Sequence, residues 1–130
     1  MSLAGRNEMI AVKARSLLRA IHADVEQIES SAVVSPDGIT LASVLGEGAD
    51  EHRFGAMCAS LLALAARATR EVDCGELRQV ILDGTRGPML LTHAGKVAVL
   101  AVAARPNSNL GRLILETRKA ALELGKLEHD

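Results

Sequence analysis

A chain of 130 residues, 48% hydrophobic and 24% charged, suits one ordinary domain and is too apolar to stay disordered. Its formal net charge of −1 and its single aromatic residue, Phe54, exclude the usual nucleic-acid binders, which need a basic surface and rings for base stacking. The longest uncharged apolar stretch, Phe54 to Ala66, falls short of the roughly 18 residues of a membrane span. Arg6 and Glu8 stand where a secretion signal would be apolar, so a cytoplasmic protein without membrane contact is expected.

In chain order, Glu8 to Ile28 predicts an amphipathic helix. Ile10, Ala14, Leu17, Leu18, Ile21, Val25 and Ile28 recur at three- and four-residue steps and define one apolar stripe. Ser31 to Ser35 and Ile39 to Leu45 are β-prone runs joined by Pro36-Asp37-Gly38. In that turn proline presets φ, Asp bonds the backbone and Gly accepts positive φ, so a hairpin is expected.

Asp50 is placed to cap a long helix reaching Val72. Phe54, Met57, Cys58, Leu61, Leu62, Ala65, Ala68 and Val72 form its apolar face, and Ala56, Ala59, Ala63, Leu64 and Ala66 widen it. Only a narrow polar strip is left: Arg53, Ser60, Arg67 and Arg70. A helix apolar over more than half its circumference needs cover on two sides. A sheet supplies one, and a second subunit is the natural other.

Three strands follow: Leu77 to Leu82, Met89 to Thr92 and Val97 to Ala103. Glycine-containing connections, Asp83–Pro88 and His93–Lys96, join them as hairpins. Val97 to Ala103 carries no polar side chain and belongs at the sheet centre. The polar start of Leu77 to Leu82 suits an edge. After Arg105-Pro106, Asn107 or Ser108 caps a last helix running to about Leu127. The expected fold is a single α+β domain over residues 1–130, ordered α-β-β-α-β-β-β-α. Its five-stranded antiparallel sheet carries one helix on one face and two on the other.

Catalytic chemistry is missing from the pattern. No phosphate-binding glycine loop occurs, and Gly46-Glu47-Gly48 reads as a plain connection. His22, His52, His93 and His129 have no second His or Cys at metal-ligand spacing, so neither metal nor cofactor is expected. Cys58 and Cys74 read as reduced, mostly buried thiols. No serine sits in a nucleophile elbow, and Asp37 and Asp83 serve turns. Arg86 lies at a loop tip, where an arginine can contact a partner protein.

The element order, the turn Ser35-Pro36-Asp37-Gly38, the run Val97 to Ala103 and the segment Arg105-Pro106-Asn107-Ser108-Asn109-Leu110-Gly111 resemble the roadblock, or dynein-light-chain-like, family. The resemblance covers about Ile10 to Leu127 and implies a profilin-like topology with sheet order 2-1-5-4-3. It also implies a homodimer in which the third strands pair across a twofold axis beneath the two central helices. Arg53, Met57, Ser60, Leu61, Leu64 and Arg67 would then meet on the helix, and Leu77, Gln79 and Ile81 at the strand edge. Bacterial members are similar to regulators of small Ras-like GTPases. The chain is shorter than the gliding-motility branch, which puts true GTPase-activating activity in doubt and leaves it a possible addition to regulatory binding. A structural scaffold without GTPase regulation is the alternative, and a small-molecule sensor the third reading; the sensor requires a pocket lined by converging polar groups.

Overall fold

The computed structural model describes residues 2–129. Met1 and Asp130, the outer limits of the predicted domain, lie outside the described residues, as does the side chain of His129. The elements run α1 (Leu3–Asp24), β1 (Ile28–Val34), β2 (Thr40–Val44), α2 (Glu51–Glu71), β3 (Gln79–Gly84), β4 (Gly87–Ala94), β5 (Ala98–Ala104) and α3 (Leu110–Gly125), with a 3-10 turn at Lys126–His129. All neighbouring strands are antiparallel, in the order β2-β1-β5-β4-β3.

The apolar periodicity explains the layers. Ile10, Ala14, Leu18 and Ile21 of α1 and Leu113, Ala120, Ala121 and Leu124 of α3 pack with Val33, Leu90, Leu100 and Val102 on one face of the sheet. On the other face Cys58 and Leu62 of α2 pack with Ala32, Val34, Leu91, Val99 and Ala101. Strand β5 is apolar on both sides because both sides are covered, and it sits centrally as its composition predicts.

Several boundaries differ from expectation. Helix α1 begins at Leu3 rather than Glu8, because the Ser2 hydroxyl accepts from Gly5 N–H and caps it. It ends at Asp24, so Val25 and Ile28, counted on the helical stripe, are a C-cap and a strand residue. Both are buried, which keeps the apolar spacing while the backbone changes period. Ile28 pairs with Ala104, and Arg105 N–H donates to the Gln27 carbonyl, drawing this segment into the sheet. The third strand starts at Gln79, leaving Leu77 just outside it. Strand β4 takes up Gly87–Ala94, so His93 lies in a strand and not in a turn. The cap of α3 is Asn109, whose side chain accepts from Arg112 N–H, while Asn107 takes φ 64° in the preceding turn.

Two close contacts yield testable consequences. The buried Gly55 lies where α2 crosses β2. A Cβ there would sit 2.1 Å from Thr40 Oγ1, which donates to the Glu51 carbonyl at 2.7 Å. Gly55→Ala, normally favourable in a helix, is therefore expected to destabilise by about 1–3 kcal/mol through overpacking. Adding Thr40→Ala should recover most of the loss in urea unfolding, since the next atoms stand at 3.4–3.5 Å.

The second contact joins His22 Nε2 to the buried Ser31 hydroxyl at 2.8 Å. Desolvation lowers the pKa of His22, and of His93, below the ordinary imidazole value. The folded chain thus prefers neutral rings, and the unfolded chain takes up more protons as pH falls. Stability should be level above about pH 6.5 and decline below it. A lower urea midpoint at pH 5.5 than at pH 7.5, with the difference reduced in His22→Gln, is the expected result.

Candidate protein–protein interface

Helix α2 forms because Asp50 accepts from His52 N–H at 3.1 Å and Arg53 N–H at 3.0 Å, and because its body is rich in alanine and leucine. The backbone hydrogen bond from Arg53 leads the causes holding the Asp50 carboxyl below its usual range. Of its 21 residues only Gly55, Cys58 and Leu62 are buried. Phe54 and Ala59 pack partly against the same core. The rest of the apolar surface faces outward: Met57 is 56% exposed, Leu61 37% and Leu64 61%. Arg53, Ser60 and Arg67 are exposed as well. Their spacing of three and four residues puts all six on one outward face. Large exposed apolar residues at these steps make a patch, not scattered surface leucines.

The sheet also ends in a strand with a free edge. Strand β3 is outermost and pairs only with β4 within the chain. Of the strand residues singled out from sequence, Leu77 packs partly against the α2-side core, just ahead of the strand. Gln79 and Ile81 pair with Thr92 and Leu90, and Leu90 belongs to the α1/α3 core. Antiparallel partners share a face, so Gln79 and Ile81 point away from α2. Val80 and Leu82, opposite Leu91 and Met89, are the β3 side chains on the α2 side, and sequence reasoning did not single them out. Strand alternation held the signal, but the face it refers to depends on register.

Arg86 is exposed in the two-residue turn Thr85-Arg86, bounded by the Gly84–Gly87 pair. Among the described residues, no three His, Cys, Asp or Glu side chains stand where they could hold a metal ion. Cys58 is buried, and burial pushes its thiol up to about 11. Cys74 is exposed, against the expectation of two mostly buried thiols, because it follows Asp73, at φ 59°, in the loop after α2. No helix among the described residues is long and apolar enough to cross a membrane.

An antiparallel five-stranded sheet between one helix and a helix pair, with its central helix half bare, defines an α+β domain of the profilin-like class. The chain belongs to the Roadblock/LC7 domain family, whose model matches residues 17–104. An uncharacterized protein of Methanocaldococcus jannaschii, MJ0310, is 33% identical over 96 residues, which is 74% of this chain and 83% of the relative. Among solved structures, Myxococcus xanthus MglB shares the fold with a TM-score of 0.82 at 19% identity, over 90% of this chain and 95% of that one. Acanthamoeba castellanii profilin II does so with a TM-score of 0.54 at 19% identity, over 80% and 90%. The profilin-like topology and the order 2-1-5-4-3 stand as the sequence resemblance implied.

Proposed function

We propose that this protein is a non-catalytic homodimeric adaptor in the cytoplasm that binds a small Ras-like GTPase and modulates its nucleotide cycle. The observation that carries the reading is the bare apolar face of α2, in a domain whose sheet leaves the edge of β3 unpaired. Exposed apolar area of this kind is costly in water and is relieved by a second protein surface. A second copy fits both features at once. Antiparallel β3 strands would join two sheets into one, and Arg53, Met57, Ser60, Leu61, Leu64 and Arg67 of the paired α2 helices would bury one another. Gln79 and Ile81 on the strand edge, and Leu77 just ahead of the strand, would join the same interface. Paired strand edges also satisfy backbone groups that otherwise invite non-specific pairing.

Membership in the Roadblock/LC7 domain family and the likeness of the fold to MglB support the choice of a GTPase as partner. Arg86, at the exposed tip of the β3–β4 hairpin, is the side chain we assign to partner contact. The test mixes the protein with the small Ras-like GTPase encoded nearest its gene, loaded with GDP or with a non-hydrolysable GTP analogue. A complex in one nucleotide state on size exclusion, with altered hydrolysis or exchange, is the expected outcome. No complex in either state overturns the GTPase reading. A complex without any effect on the cycle overturns regulation and leaves a scaffold.

A further inference from the structure

Helix α3 packs chiefly on β4, with lighter contact to β5, and its flank toward β3 stays open. That flank carries Arg118, Leu122 and Lys126 in one i, i+4, i+8 row. The adjoining row holds Ala121 and Gly125, too small to fill the space beneath. A Cβ on Gly125 would stand 3.0 Å from Gly95 N, so the helix end and the β4–β5 turn meet backbone to backbone. Between this flank and the start of β3 lies a cavity of about 510 Å³. Arg78 borders it from the strand side. Thr92, buried on β4, donates its hydroxyl to the Arg78 carbonyl at 3.1 Å and fixes that backbone in place.

The lining is chemically uneven. Three cations, Arg78, Arg118 and Lys126, surround an apolar wall of Ala121 and Leu122, and Glu128 is the single carboxylate of the lining. Among the described residues neither guanidinium is in an ion pair, whereas Lys126 holds Glu123 at 2.7 Å in an exposed i, i+3 pair. Such a pair is worth only about 0–1 kcal/mol and exchanges readily. The chain as a whole is weakly acidic, so this cluster is a local reversal of charge. Leu122, among these cations, is 70% exposed. The volume falls in the range of roughly 300–1,000 Å³ typical of small-molecule sites.

We propose that this cavity is a binding site for a small amphipathic oxyanion, a carboxylate or phosphate group carried on a short apolar chain. Arg78 and Arg118 hold the head group, since the planar guanidinium fork matches both oxyanions. Lys126 adds a third positive charge, and the apolar chain lies along Ala121 and Leu122. The lining residues all belong to one chain, and Arg78 stands between Leu77 and Gln79 of the proposed dimer edge.

Octyl phosphate and octanoate are the probes, with inorganic phosphate and octanol as head-only and tail-only controls. In an amide NMR titration both amphiphiles should shift Thr92, Gly95 and Leu122 saturably below millimolar concentration, and each control should bind at least tenfold more weakly. Whichever amphiphile binds more tightly identifies the head group as phosphate or carboxylate. Arg78→Ala and Arg118→Ala alter exposed side chains and should fold normally, each weakening binding at least tenfold. Absence of saturable shifts at these amides overturns the site. So does octanol binding as well as the amphiphiles, or shifts confined to the α2 face.

Discussion

Gly87→Ala should lower the melting temperature by about 10 °C or more. Gly87 opens β4 at φ 132°, a region that side-chain-bearing residues rarely adopt. A Cβ at this position would lie 2.1 Å from the Ala104 carbonyl oxygen and 3.1 Å from the Arg105 carbonyl carbon. Those atoms are backbone at the end of β5, and no rotamer change moves them aside. Backbone strain alone costs about 1–3 kcal/mol. Displacing the strand end should bring the total to at least about 3 kcal/mol, a large share of the roughly 5–15 kcal/mol by which a domain is stable. Gly48→Ala is the control. Its φ of 81° is also positive, but no heavy atom lies within 4 Å of the added Cβ, so only the conformational cost of about 1–2 kcal/mol remains. Thermal unfolding followed by circular dichroism compares the two. If both variants melt within a degree or two of each other, close approach to β5 is not what selects glycine at position 87.

Leu64→Glu should convert the protein from dimer to monomer without lowering the stability of the chain itself. Leu64 is 61% exposed, so no core is disturbed. At the centre of paired α2 helices, however, the substitution would bury two carboxylates where two leucines met. Removing a central contact of this kind weakens association by about 100-fold. Light scattering at micromolar concentration should give twice the chain mass of 13.7 kDa for the wild type and the single mass for the variant. Val12→Glu, at 59% exposure on the outer side of α1, should remain dimeric. A wild-type monomer, or a dimer that ignores Leu64→Glu, would remove the assembly on which the adaptor reading rests.

Much of the fold was legible because its signals are local. The hairpin turn Ser35–Gly38 reads from four residues, and in the structure Ser35 binds both the Asp37 side chain and Ile39 N–H. The Asp50 cap reads from one residue and the helix after it. Strand β5 reads from seven residues without a polar atom in their side chains. The misplaced boundaries have different causes. Val25 and Ile28 satisfy helical spacing and strand burial equally well, and only pairing of Ile28 with Ala104, 76 positions away, decides between them. Asn107, Ser108 and Asn109 all have capping chemistry, and the turn geometry selects the third.

The interface was legible as an excess and not as a map. The sequence showed that α2 has more apolar surface than one sheet can cover, and the structure agrees: Met57, Leu61 and Leu64 are outside while Cys58 and Leu62 are inside. Which side of β3 lies on the α2 side of the sheet was out of reach, because alternation defines two faces without saying which is which. Register supplied the answer, placing Val80 and Leu82 on the α2 side and Gln79 and Ile81 on the other. The cation-lined cavity was hidden for the same reason. Arg78 and Arg118 are 40 positions apart, and nothing in their neighbourhoods links them. By itself the sequence determined element types, their order, the sheet-centre strand and the family resemblance, all of which follow from spacing within a few residues. Tertiary structure alone decided which apolar residues stay exposed and which charges share a cavity, since both depend on what distant elements lie across the gap.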